Sequence, residues 1–264
     1  MNFGIAGIGV VGSALQRFLE TKGHLVHTYD KKLKESKISN LLKSQLCFLC
    51  LPTEYDDETQ EYNMKPIRSV LKYLSKKHYL HPVVIKSTMT PGTTLNLKAD
   101  FPNLHIVHCP EFLSSATNDT DTQFPNQILL GCPQHTAAAV SGTVYTIFKE
   151  LYPNIPIFIV DSQTTECVKL FCNSFYSVKL QYFNDMYAIC QREGYNYDLI
   201  KQLMLMNGWI HPMHTVVPGY DGNLGFGGKC LPKDILALKG WCKKKNHRCK
   251  LIEATILSNI NKSN

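Results

Sequence analysis

The residue best placed for chemistry is a cysteine set between glycines and lysines, in Gly225-Phe226-Gly227-Gly228-Lys229-Cys230-Leu231-Pro232-Lys233-Asp234. The glycines let the backbone bend tightly and approach a ligand. Pro232 suits the first turn of a helix, where a missing N–H costs little, and Ile235 to Lys245 reads as that helix. Cys230 then stands at a helix N-terminus between Lys229 and Lys233, two influences that favour thiolate over thiol. Asp234, four residues on, shares a helix face with Cys230 if the helix begins that early. Lys169 and Asn173 have the same i,i+4 spacing; aimed at a cleft they could stabilise an oxyanion, whereas a lysine on such a helix otherwise snorkels to solvent.

Positioning such groups takes a scaffold, and the sequence spells one out. Asn2 to Ala6 is a short apolar strand, followed by Gly7-Ile8-Gly9-Val10-Val11-Gly12 and an amphipathic segment, Ser13 to Lys22. In this G-x-G-x-x-G, Gly7 makes the turn, Gly9 lets a pyrophosphate approach and Gly12 permits close helix–strand packing. A second strand, His24 to Tyr29, ends at Asp30, 18 residues past Gly12. An acid there accepts hydrogen bonds from a ribose 2′-hydroxyl and repels a 2′-phosphate, which favours NAD over NADP, although Lys31 and Lys32 beside it weaken the argument.

The alternation continues with strands at Gln45–Leu51, Pro82–Ser87, Leu104–Cys109, Gln127–Gly131 and Ile155–Val160, and helices at Met64–Lys77 and Thr136–Leu151. This pattern predicts an α/β fold with a doubly wound parallel sheet, in which ligands bind at the C-terminal ends of the strands. Thr88, in Ser87-Thr88-Met89-Thr90-Pro91-Gly92-Thr93, and Glu111, in Pro110-Glu111-Phe112-Leu113, fall on that side. From Gln163 to Glu193 one long helix is expected. Its apolar residues (Val168, Phe171, Phe175, Val178, Tyr182, Met186, Ile189) recur at helical spacing, and Leu170, Phe183, Tyr187 and Cys190 broaden the surface, so burial on more than one side is expected. A short helix at Tyr197–Met206 and a Gly/Pro/His-rich loop at Trp209–Leu224 lead into the cysteine motif. The expected domains are 1–160 and 161–264, with the boundary near Asp161.

Composition sets bounds. The chain has 264 residues, 44% of them hydrophobic, enough for a sizeable core. No apolar run approaches a membrane span, and residues 1–15 lack a basic leader, which reads against a signal peptide. The ten cysteines lie mostly within apolar segments, as Cys47 and Cys50 do, and read as reduced thiols of a cytoplasmic protein rather than a disulfide framework. No second pair gives Cys47 and Cys50 the spacing of a zinc site. His211 and His214 lack an acidic or cysteine partner and read as loop residues. The formal charge of +7 comes with lysines in local groups. No basic stripe with interleaved aromatics argues for nucleic acid; positive charge also suits nucleotide phosphates.

A dinucleotide site together with an activated cysteine suggests hydride transfer with covalent catalysis. The sequence resembles the UDP-glucose/GDP-mannose dehydrogenase family. The resemblance rests on the glycine motif with Asp30, Ser-Thr-x-x-Pro-Gly-Thr at 87–93, Pro-Glu-Phe-Leu at 110–113, Lys169-x-x-x-Asn173 and GFGGKCLPKD at 225–234, in the family's order along nearly the whole chain. It implies a Rossmann-type domain followed by a helical domain of 6-phosphogluconate dehydrogenase type. The implied reaction is oxidation of a nucleotide-sugar alcohol to a uronic acid with two NAD. Cys230 would form a hemithioacetal and then a thioester, Lys169 and Asn173 would stabilise the oxyanion, and Asp234, through water, would assist deprotonation of the sugar hydroxyl. Glu111 would serve in thioester hydrolysis, with Thr88 positioning water. Gly7, Gly9, Val10, Val11, Gly12, Asp30, Thr53, Thr88 and Lys233 would hold NAD. The implied substrate contacts are Glu111, Phe112, Leu113, Lys169, Asn173, Phe226, Gly227 and Cys230. No metal is implied, and relatives pair as homodimers through the long helix.

Three features depart from the family pattern. Its members usually continue into a nucleotide-binding domain beyond the point where this sequence ends. Ser115 stands where a second acid is frequent, and Trp209 to Pro218 occupies the region of an arginine that reaches the partner's site. The expected substrate is UDP-glucose, with UDP-N-acetylglucosamine, UDP-galactose and GDP-mannose as alternatives. A non-catalytic NAD-binding protein is a second reading, and a separate chain supplying the nucleotide-binding domain a third.

Overall fold

The computed structural model describes residues 1–114, 117–133 and 138–262. The chain divides into two compact units, Met1–Glu54 with Tyr62–Lys169, and Tyr55–Glu61 with Leu170–Asn264.

The first unit is built on a seven-stranded sheet. Along the chain it runs β1 (Asn2–Ala6), α1 (Val10–Thr21), β2 (Leu25–Tyr29), a 3-10 turn (Ile38–Lys43) and β3 (Leu46–Leu49). The chain leaves this unit for a two-stranded ribbon, β4 (Tyr55–Asp56) and β5 (Glu61–Tyr62), all but Tyr62 counted with the second unit, and returns with α2 (Lys65–Lys76), β6 (Pro82–Ile85), α3 (Thr93–Asp100) and β7 (His105–His108). Then follow α4 (Asn118–Gln123), β8 (Ile128–Cys132), α5 (Ala138–Leu151) and β9 (Ile157–Asp161). The sheet order is β2-β1-β3-β6-β7-β8-β9.

Successive side chains on a strand point to opposite faces, and this sheet buries both. Phe3, Ile5, Phe48, Val84 and Val107 pack on one side with Leu15, Phe18 and Leu19 of α1 and Ile147 and Phe148 of α5. Cys47, Leu49, Val83, Ile85 and Ile106 face the other side, against Ile67, Val70, Leu71 and Leu74 of α2. Those four α2 residues repeat at i, i+3, i+4 and i+7, one apolar stripe. Two-sided burial explains why β3 and β6 are apolar throughout rather than alternating.

The sheet is not wholly parallel. β7 and β8 pair antiparallel, with His108 opposite Gly131, and β9 is parallel to β8, so β8 and β9 run against the other five strands. The link from β7 to β8 passes through the short α4 instead of a long crossover helix, and an antiparallel neighbour requires no crossover. Sequence alternation predicted α5 from Thr136; that residue lies outside the described residues, and the helix is described from Ala138.

The second unit contains most of α6 (Ser162–Glu193), α7 (Tyr197–Met206), a long loop, α8 (Leu231–Lys244) and α9 (Lys250–Lys262). The Asn196 side chain caps α7 by accepting from Leu199 N. Phe183, Cys190, Tyr197 and Val217 form one apolar cluster, and Phe226, Ile235 and Ile256 another. The Lys179 ammonium donates to the His211 and Met213 carbonyls and pins the loop to α6. His214, in that loop, stacks on Tyr176 with ring centroids 4.2 Å apart. The expectation that α6 is buried on several sides fails in the single chain: Phe171, Phe175, Tyr182 and Ile189 are about half exposed. No helix among the described residues is long and apolar enough to cross a membrane.

Candidate active site

At the β1–α1 turn the glycines are required by geometry. Gly7 has φ +91°, and a Cβ there would meet the Cys50 carbonyl oxygen at 2.4 Å. At Gly12 a Cβ would meet the Gly7 carbonyl oxygen at 1.9 Å, so α1 lies against the turn as only glycine allows. Gly9 caps α1 with open space around it and Val10 is exposed, leaving the helix N-terminus accessible to an anion. One Asp30 carboxylate oxygen accepts from Ile8 N at 2.8 Å and the other from Lys32 N at 2.8 Å, so the acid is locked beside the turn. The Asp30 amide donates to Ser36 Oγ, on the rim of a hollow of about 410 Å³ lined by Thr28, Leu33, Lys34, Glu35, Ser36 and Asn40. A glycine cradle, an open helix N-terminus and an acid at the end of β2 fit NAD.

At the C-terminal ends of β3 and β6, the Thr53 hydroxyl donates to the Thr88 carbonyl at 2.9 Å, and the Ser87 hydroxyl to the Leu51 carbonyl at 2.7 Å. Thr88 itself is buried. At the end of β7, Glu111 pairs with Lys169 at 3.2 Å, and its other oxygen accepts from Leu113 N at 2.7 Å. The Lys169 ammonium also lies 5.3 Å from the Phe112 ring centroid, a cation–π contact. Lys169 is therefore a buried cation held by an acid, not a snorkelling one.

Three residues of this unit were not legible in the sequence. Glu166 is fully buried, and its carboxylate accepts from Gly92 N and Thr94 N, each at 2.6 Å, and from Thr94 Oγ1 at 2.5 Å. It thereby caps α3 from a distance and ties the 88–93 loop to α6, one turn before Lys169. Burial raises its carboxyl above the ordinary range, against the pull of those donors. His108 bonds the Thr165 hydroxyl at 2.7 Å and the Ser87 carbonyl at 3.3 Å, and burial depresses it to about 3, so the ring is neutral. Thr165, whose hydroxyl sits where a Cβ on Gly131 would come within 2.1 Å, marks how closely α6 approaches β8. An acid three residues before Lys169, within one turn on the same helix, was the available signal for Glu166.

In the second unit α8 begins at Leu231, earlier than the predicted Ile235, because Pro232 and Asp234 both suit a first turn. Cys230 is its N-cap residue, exposed and in no disulfide, and the Asp234 amide donates to the Cys230 carbonyl at 3.0 Å, one turn on. Asp234 is fully buried between two donors: Asn173 Nδ2 at 2.5 Å and Lys233 Nζ at 2.5 Å, one on each oxygen. So Lys169 and Asn173, one turn apart on α6, engage different acids. Two amides shape the glycine loop. Asn184 accepts from Gly225 N at 2.7 Å, while Asn259 accepts from Phe226 N at 2.8 Å and donates to Phe226 O at 3.0 Å. Gly225 has φ +84°, and a Cβ there would meet Asn259 Oδ1 at 2.3 Å. The Phe226 ring is buried against Ile235 and Ile256, whereas Gly227 has open space around it. Ser115 lies outside the described residues.

Residues 26–149 match the NAD-binding domain of the UDP-glucose/GDP-mannose dehydrogenase family, and residues 163–261 match that family's central domain. The chain belongs to this family. It is 29% identical over 194 residues to a UDP-glucose 6-dehydrogenase of Campylobacter jejuni, covering 72% of this chain and 47% of that protein. To one of Rickettsia typhi it is 28% identical over 210 residues, covering 78% and 46%. The chain thus spans about half the length of these curated relatives. A UDP-glucose dehydrogenase structure from Pyrobaculum islandicum superposes with a TM-score of 0.84 at 19% identity, over 98% of this chain and 68% of that one. A UDP-D-ManNAc dehydrogenase from Pyrococcus horikoshii gives 0.82 at 19%, over 99% and 68%. These two likenesses establish the fold.

Proposed function

We propose that this family member carries out the NAD-dependent, four-electron oxidation of a nucleotide sugar, UDP-glucose to UDP-glucuronate, through a thioester on Cys230. The observation that carries the reading is Cys230 itself, an exposed thiol at the N-terminus of α8, followed one turn later by a buried, doubly bonded Asp234. NAD, bound once for each of the two oxidation steps, would supply the hydride acceptor, so two NAD would be reduced per sugar. At the aldehyde level Cys230 Sγ bonds to the carbonyl carbon; hydrolysis later returns the thiolate and releases the acid. Positive charge on Lys169 stabilises the oxyanion, and its contact with Glu111, at 3.2 Å, holds that carboxylate in place to take a proton from water. Thr88 helps to position this water. Asn173 and Lys233 hold Asp234 in one orientation, from which it assists deprotonation of the sugar hydroxyl through water. The domains assigned to these tasks are 1–160 for NAD and 161–264 for the cysteine.

Exposed Phe171, Phe175, Tyr182 and Ile189 along α6 support a homodimer paired through this helix. The protein is assigned to the cytoplasm.

The test is NADH formation with NAD and UDP-glucose, UDP-N-acetylglucosamine, UDP-galactose or GDP-mannose, with Cys230→Ala alongside. Two NADH per UDP-glucose, abolished in the variant while NAD still binds, is the expected result. Activity on another sugar would revise the substrate. NAD binding without turnover on any of them would favour the non-catalytic reading.

A further inference from the structure

Away from the residues assigned above, the second unit brings two thiols into contact. Cys242, in the last turn of α8, is 6% exposed, and Cys249 immediately precedes α9. The Cys249 thiol donates to Cys242 Sγ across 2.7 Å. A disulfide bond spans about 2.05 Å, so closure needs a movement of well under 1 Å. The backbone already holds both ends. Asn246 turns the chain with φ +57°, the His247 amide donates to the Cys242 carbonyl at 2.8 Å, and the Glu253 amide to the Cys249 carbonyl at 3.0 Å. The connecting residues are Lys243-Lys244-Lys245-Asn246-His247-Arg248. A hollow of about 400 Å³ opens on this segment, lined by Lys239, Lys243, Asn246, His247, Arg248 and Glu253, with three permanent cations against one carboxylate.

We propose that Cys242 and Cys249 are a redox-active dithiol, closed to an intrachain disulfide by exchange with an anionic, glutathione-type disulfide drawn to the basic hollow. Cys242 is buried and Cys249 only half-buried, so a small disulfide reaches Cys249 first; burial also pushes the Cys242 thiol up to about 12. Its thiolate bonds to one sulfur of the small disulfide, whose S–S bond breaks and expels one thiolate. Cys242, as its proton leaves, then bonds to Cys249 Sγ and expels the second. Two protein S–H groups become one S–S bond; the small disulfide takes up two electrons and both protons and leaves as two thiols. The bridge ties the end of α8 to the start of α9.

The test uses the full chain equilibrated with mixtures of oxidised and reduced glutathione, alkylated and mapped by mass spectrometry without reduction. Cys230→Ala serves as the background, removing the exposed thiol. The expected product is a Cys242–Cys249 cross-link with the other cysteines alkylated. Cys242→Ser should instead trap one glutathione on Cys249, and the doubly reversed Lys243→Glu/Arg248→Glu chain should oxidise at least tenfold more slowly with oxidised glutathione but not with neutral hydroxyethyl disulfide. If Cys242 and Cys249 stay alkylated in wild type at ratios that oxidise a free dithiol, the pair is not redox-active. Equal rates with both disulfides would overturn the role of the hollow.

Discussion

His108 makes the support of the site sensitive to acid. It is buried without charge, bonding Thr165 and Ser87, and its ring is held at about 3 by burial, with Lys86 and Lys169 adding to the depression. In the unfolded chain the same imidazole takes up its proton near 6.5. The folded value lies below the unfolded one, so this stability is fully present above pH 6.5 and is lost as pH falls towards 3. Integrating the linkage gives a loss of about 2 kcal/mol at pH 5 relative to pH 8, and about 5 kcal/mol at the acid limit. Other groups titrate over the same range, so the informative quantity is a difference between proteins. His108→Gln keeps a hydrogen-bonding side chain and removes the titration. Urea unfolding of both proteins at pH 8 and pH 5 should show the wild type losing about 2 kcal/mol more than the variant. Equal losses would refute the reasoning, because they would mean that His108 either carries a proton in the folded state or is not buried.

Other consequences concern the cofactor and the assembly. Gly12→Ala places a methyl group 1.9 Å from the Gly7 carbonyl oxygen; the turn must open, and NAD affinity measured by calorimetry should fall by roughly tenfold or more, about 1.4 kcal/mol. Asp30, with both oxygens anchored to backbone amides, should make NADP a markedly poorer ligand than NAD. Equal affinities would remove Asp30 as the discriminator. Phe175→Glu puts a charge on the exposed α6 stripe, and sedimentation should show a homodimer in wild type and a monomer in the variant, whereas an unchanged dimer would place the interface elsewhere.

The parts of the fold legible in sequence are those whose cause is local. The β1–α1 glycines, the four-residue apolar stripe of α2 and the length of α6 follow from spacing alone. Elements with a distant cause were not readable. α3 lacks an amphipathic pattern and is capped by Glu166 from more than 70 residues away. The reversal at β8 depends on which neighbour a strand finds, which no local pattern encodes. The same division holds at the site. Cys230 and Asp234 could be found from a helix start and a four-residue step, while the partners of Asp234 and Lys169 appear only in three dimensions. His108 and Glu166 belong to no recognisable motif and give little signal until their partners are seen.

The central claim is that Cys230 carries the substrate as a thioester, and the direct measurement is the mass of its peptide. The protein mixed with NAD and UDP-glucose and quenched in acid within a turnover should carry a uronyl group on the Cys230 peptide. The group should be sensitive to hydroxylamine and absent when NAD is omitted. An unmodified Cys230 peptide in a sample that is forming NADH would contradict the account.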